Sequence, residues 1–183
     1  MGNYEVSKKG RLFVAVSATG GIAIIAAAAG GGHPTLFNPE GSKRDIIVKR
    51  LLLGYVSGAN APGSLAWNYV KDAGAQAATG SAILTATKVA VESALLGGPV
   101  DSKAIWSPTT NTFTVAPTYG RPIGLSLFTG VAATAVAPFP WVEEYDEDLN
   151  VAPGNAICLV AQQATTTALF RVTIVFEERD RAA

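Results

Sequence analysis

Residues Leu149 to Arg179 read LNVAPGNAICLVAQQATTTALFRVTIVFEER, and the pattern of this stretch decides the fold class. From Ala168 onward the alternation is strict: Phe170, Val172, Ile174 and Phe176 share one face, and Arg171, Thr173 and Glu177 the other. This is the period-two signature of a strand covering a core. Only Val175 breaks it. Upstream, Ile157, Leu159 and Ala161 alternate with Cys158 and Val160, and a polar, Thr-rich connection from Gln162 to Thr167 joins the two runs. Together they read as a long hairpin fed by a turn from Asn150 to Asn155. A hairpin that buries one face cannot stand alone, so its apolar side must lie against a second sheet built from earlier parts of the chain. The expectation is an all-β sandwich.

Earlier segments supply that second sheet. The run from Asp45 to Val56, DIIVKRLLLGYV, is the strongest strand among them, although Leu51, Leu52 and Leu53 place apolar side chains on both faces. A bulge or burial on both sides would explain this. Ala61-Pro62-Gly63 turns the chain into Ser64 to Val70, where Leu65, Trp67 and Tyr69 share a face. Near the start, Lys8, Lys9 and Arg11 precede an apolar run, which also describes a signal peptide or a membrane span. Ser17, Thr19, Gly20 and Gly21 split that run into two strand-length pieces, Leu12 to Ser17 and Ile22 to Ala28, so no membrane partner is expected. Gly30 to Gly32 and His33-Pro34 break the chain before a short extended piece, Thr35 to Phe37, and an Asn38-Pro39-Glu40-Gly41-Ser42 turn. The Ala/Thr/Gly-rich segment 73–98 fits a helical stripe passably, but Gly80 and its β-branched residues favour short strands. Further short strands are expected at Lys103 to Trp106 and Thr112 to Val115, around a Pro-Thr-Thr-Asn turn, at Ile123 to Leu127 and at Phe139 to Tyr145, with a weak strand or loop at Val131 to Ala137. Residues 1–10 are polar and aperiodic and read as an N-terminal arm, leaving 11–183 as a single sandwich domain.

Composition narrows the function classes. Lys plus Arg and Asp plus Glu are 14 each in 183 residues, so no net positive charge favours a phosphate backbone, and nucleic acid is not an expected partner. Charged residues make up 15% against about 25% in ordinary soluble domains. With 49% apolar residues, the chain holds more apolar surface than one small sandwich easily hides, which points to a homo-oligomer. The apolar runs with both faces occupied are the candidates for an oligomer or capsid interface: Ile22, Ile24, Leu51 and Leu53.

Three features together, Leu36 to Lys43 with its Asn-Pro-x-Gly-Ser turn, the Gly63-Ser-Leu-Ala-Trp67 strand, and Pro153-Gly154 leading to the closing FRVTIVFEE, resemble the small structural proteins of tailed bacteriophage virions. The resemblance implies a jelly-roll-like antiparallel β-sandwich, usually trimeric, sitting on a capsid or tail. Its partners would be copies of itself and the major capsid protein or another virion protein. Its location would be the virion, assembled in the host cytoplasm. The implied role is a capsid decoration or cement subunit without catalytic residues, and the alternative is a receptor-binding, carbohydrate-binding module of a tail or head fibre. Lys43 after Ser42 departs from the family's usual Gly-Ser-Gly.

Chemistry-bearing residues are few. His33 is the one histidine, which is too few for a cupin metal site, and a turn histidine is expected to be exposed. Cys158 reads as a small buried filler. Glu143, Glu144, Asp146, Glu147 and Asp148 could hold Ca²⁺, but their spacing fits no known loop, and a solvated loop or a contact with a neighbour's Lys8, Lys9 and Arg11 is the favoured reading. Trp67, Trp106 and Trp141 could stack on sugars, yet each lies in a strand-like run, where packing is the expected use. No cofactor is expected.

Overall fold

The period-two runs become strands, and the polarity of each strand's two faces decides where it sits. The computed structural model describes residue 9 and residues 11–58, 63–77, 91–95, 98, 101–126, 141–162 and 168–181. Within these lie β1 (Leu12–Val16), β2 (Ile22–Ala23), β3 (His33–Phe37), β4 (Arg44–Ser57), β5 (Gly63–Val70) and β6 (Val91–Ser93). They are followed by β7 (Ile105–Asn111), β8 (Thr118–Ser126), β9 (Trp141–Glu144), β10 (Asn150–Val151), β11 (Ala156–Ala161) and β12 (Leu169–Asp180). A seven-stranded sheet has the order β10-β4-β12-β1-β6, with β9 also on β4 and β2 on β12, and it packs on a five-stranded sheet of order β7-β3-β11-β5-β8. Without β2, β6 and β7, the order β1-β12-β4-β9/β10 over β3-β11-β5-β8 is that of a jelly roll. Strands β6 and β7 both come from the long connection between β5 and β8, and they extend the two sheets beyond β1 and β3.

The expected hairpin between the last two runs does not form. Strand β11 pairs with β3 and β5, whereas β12 pairs with β4 and β1 in the other sheet. The reason lies in their faces. Strand β12 is uniformly apolar on one side and mixed on the other, with Phe170, Val172, Ile174 and Phe176 in the core, each contributing about 1.5–3 kcal/mol on burial. Strand β11 is buried along its whole length, with Ile157, Leu159 and Ala161 in the same core and Ala156, Cys158 and Val160 in a second cluster on the outer side of its sheet. A strand apolar on both faces needs a cover on each, and the chain supplies the second cover itself. Ala73, in the short helix Ala73–Gln76, and Phe113 join Phe37, Val70 and Ile105 over that outer face.

The same logic resolves the triple leucine. Arg50 pairs with Val175 but Val48 with Phe176, so Lys49 is an extra residue and the strand changes phase there. Val48 and Leu51 therefore both point inward, Leu53 follows, and Leu52 points out. Other expectations shift as well. The Pro-Thr-Thr-Asn segment runs inside β7 instead of turning, and around Phe113 there is only a bridge to Ala77. After Ile22–Ala23 the chain leaves regular pairing, with one further bridge from Ala26 to Ala161. Within 73–98 the described pieces are the short helix and β6; Val131 to Ala137 and the arm other than Lys9 lie outside the described residues. Among the described residues no helix is long and apolar enough to cross a membrane.

Two turns brace one end of the sandwich. The Asn38 side chain is buried and its Nδ2 donates to the carbonyls of Arg44 (2.8 Å) and Val151 (2.7 Å). The backbone N–H groups of Asn38 and Gly154 donate to the carbonyls of Asn155 and Asn38, at 2.9 and 2.8 Å. The two most distinctive sequence motifs, around Asn38 and Gly154, thus form one contact.

Candidate contact surface

Ile22, Ile24, Leu51 and Leu53, expected at an interface, are instead inside the sandwich, exposed by only 3%, 0%, 0% and 5%. Their runs read as two-sided because β4 changes phase at Lys49 and because Ile22 and Ile24 meet the core shared by both sheets. They are not available to a partner in the folded chain.

Most chemistry-bearing residues serve the fold. His33 is fully buried, contrary to the expected exposure, since the glycine-containing segment before it folds over its ring. Its Nε2 lies 3.2 Å from the Ala28 carbonyl, its Nδ1 has no hydrogen-bond partner, and burial pushes its pKa down. Cys158 is buried with Sγ 3.3 Å from Thr35 Oγ1, and burial pushes the thiol up to about 12. The Trp106 indole donates to the Val16 carbonyl (3.3 Å) and the Trp67 indole to the Tyr145 hydroxyl (2.7 Å), so two tryptophans tie the sheets together across the core. Only Trp141 is half-buried.

The acidic group is divided among cations of its own chain. Glu144 pairs with Arg50, Glu147 with Lys49 (2.7 Å) and Arg179 (3.0 Å), and Asp148 with Arg121, whose guanidinium lies 5.1 Å from the centre of the Tyr145 ring. Hydrogen bonds from Arg179 and then Lys49 hold the Glu147 carboxyl down at about 2. Glu143 faces inward; burial raises its pKa against the opposing pull of Arg121. Among the described residues no group of three or more His, Cys, Asp or Glu is placed to hold a metal ion. Asp45, Ile47, Glu147, Asn150, Arg179, Asp180 and Arg181 line a shallow cleft of about 320 Å³ whose charges are of both signs.

Among the described residues, no element lies over the central strands of the outer face of the seven-stranded sheet, although Leu12, Ile47 and Glu177 at one end of that face are buried. The strand register sets its side chains in rows. One row runs Val142, Leu52, Thr173, Val16 across β9, β4, β12 and β1. The next runs Glu144, Arg50, Val175, Val14, Glu92 across β9, β4, β12, β1 and β6. Val14, Val16, Leu52, Thr173 and Val175 are half-buried and Val142 is 51% exposed. Antiparallel sheets that face water normally turn polar side chains outward, and an aliphatic centre between charged side chains departs from that pattern. Sequence reading missed it because short valine-rich strands look alike from either side; the one visible signal was Val175, the break in the alternation of β12.

Comparisons with protein-family models, with curated proteins and with solved structures give no match.

Proposed function

We propose that this chain is a non-enzymatic structural subunit of a virion, a capsid decoration or cement protein of a tailed bacteriophage, which works as a homo-oligomer bound to the major capsid protein or another virion protein. The observation that carries the reading is the asymmetry of the sandwich. One outer face is closed by the chain's own second cluster, and the other presents the aliphatic rows of Leu52 and Val175. A domain built so offers a small aliphatic patch among charges of both signs, which suits protein contact better than capture of a small molecule in a pocket. The turn resemblance at Asn38 to Ser42 supplies the virion context.

The glycan-binding alternative keeps some support from Tyr119, exposed by 54% on β8. Co-sedimentation of the purified chain with capsids lacking it, scored against a glycan array, separates the two. Saturable capsid binding with an empty array is the expected result. Array hits that vanish in Tyr119→Ala, with no capsid binding, would overturn it.

A further inference from the structure

We propose that the open face of the seven-stranded sheet pairs with the same face of a second copy, about a twofold axis running along the strands between β1 and β12. The proposal deepens the homo-oligomer part of the reading above and rests on that part alone. Two observations carry it. The first is charge. In the row Glu144, Arg50, Val175, Val14, Glu92, the carboxylate at the β6 end, Glu92, is exposed and has no ion-pair partner among the described residues. Arg50, on the far side of the apolar centre, keeps 44% of its side chain exposed although it pairs with Glu144. A twofold between β1 and β12 sets Val14 against the other copy's Val175, and the same operation sets Glu92 against the other copy's Arg50. The face is thus complementary to itself, as an isologous contact requires, and each Arg50 would lie between its own Glu144 and the neighbour's Glu92.

The second observation is composition. The neighbouring row would place Val16 against the other copy's Thr173, so in these two rows uncharged, mostly β-branched side chains meet along the axis. The row beyond would set Leu12 against the other copy's Glu177, whose charge is balanced within its own chain by Lys49 and Arg179, so the uncharged centre is two rows deep. The two rows cover roughly 300 Å² before side-chain relief is added, so the row of Leu12, Glu177 and Ile47 must also enter the contact for it to approach a standard interface, at about 800 Å² per partner. Two such faces would pack aligned, as sheets in sandwiches do.

Sedimentation equilibrium of the full chain at tens of micromolar tests this, with circular dichroism to show that each variant folds. The expected mass is twice the 18.8 kDa of the chain. Glu92→Arg removes an exposed carboxylate that the fold does not use, and should weaken the pair roughly tenfold or more. Thr173→Lys should leave folded monomers. The exchange Arg50→Glu with Glu92→Arg should regain at least part of the affinity lost in Glu92→Arg. A monomer at these concentrations, a trimer, or a dimer indifferent to both Glu92→Arg and Thr173→Lys would overturn the contact. A dimer that responds as expected but does not bind capsids would support the contact while counting against the virion role.

Discussion

Removal of the Glu178 carboxylate is the sharpest test of how the long insertion between β5 and β8 is tied to the jelly roll. The side chain is 1% exposed on β12, and its Oε1 accepts from Ser102 Oγ (2.7 Å), Lys103 N (2.8 Å) and Ala104 N (3.0 Å). Its Oε2 pairs with Arg44 Nη1 at 3.1 Å. One carboxylate thus joins a strand of the large sheet to the segment that enters β7 of the small one. In Glu178→Ala the Lys103 amide loses its acceptor inside the protein, while Arg44 keeps Asp180 and Asp101 and is not stranded. Hydrogen bonds to a charged group are worth about 1.5–3 kcal/mol, and breaking a buried pair costs about 3–5 kcal/mol. With Arg44 still paired, the loss should fall near the lower bound, about 3 kcal/mol. Glu178→Gln keeps an oxygen for the three donors but gives up their charge assistance and the ion pair with Arg44, so it should lose less than the alanine variant, about 1–2 kcal/mol. At about 2–4 °C per kcal/mol for a chain of this size, the alanine variant should melt about 6–12 °C lower. Urea titration with unchanged m-value measures both variants. An alanine variant within 1 kcal/mol of wild type, or alanine and glutamine variants of equal stability, would refute the clamp.

Other outcomes follow from burial and charge. Ile174→Asp strands a charge in the core and should cost more than about 4 kcal/mol, whereas Arg171→Asp on the exposed side of the same strand should change stability by less than about 1 kcal/mol; equal losses in urea titration would mean that the faces of β12 are reversed. Cys158 should react with a chromogenic disulfide reagent at pH 8 only as fast as the protein opens, and rapid labelling of the native protein would contradict its burial. His33 has a folded pKa below its ordinary 6.5, so the unfolded chain binds the proton first. Its stabilising share is whole above that value and is lost as pH falls below it toward the folded pKa. The raised carboxyl of Glu143 gives the opposite slope, so the difference between wild type and His33→Gln is the informative quantity; it should shrink from pH 7.5 to 5, and a constant difference would mean that the ring is already solvated in the native state.

The alternation of β12 was legible because one of its faces is mostly polar, and it led directly to the sandwich and to four core residues that the structure places as expected. The pairing of β11 was not legible. Its run is equally regular, but a strand apolar on both faces carries no phase, and the sheet to which it belongs depends on β3 and β5, more than eighty residues earlier in sequence. Leu51 and Leu53 failed for a related reason, since a single extra residue at Lys49 shifts the phase of β4 and turns what reads as a two-sided strand into a one-sided one. The acidic group from Glu143 to Asp148 looked like one site because its residues are adjacent, but their partners Lys49, Arg50, Arg121 and Arg179 approach from three different strands and separate them.

Apolar excess in a composition therefore does not by itself identify an oligomer. Much of the excess here is consumed inside one chain, by the second cluster of Phe37, Val70, Ile105, Phe113 and Val160 on the outer side of the small sheet. What can still call for a partner is the part the chain leaves open, and that part lies on the large sheet, where no described element covers Val14, Leu52 or Val175. The insertion that closes the small sheet also adds β6 to the edge of the large one, bringing Glu92 into the row that ends in Arg50 and Glu144. One segment thus closes one face and, in the proposed pair, supplies the carboxylate that would face Arg50 of the other copy. Deleting that charge should separate the copies without loosening the second cluster, so Glu92→Arg should lower the association constant while leaving the labelling rate of Cys158 in the monomer unchanged.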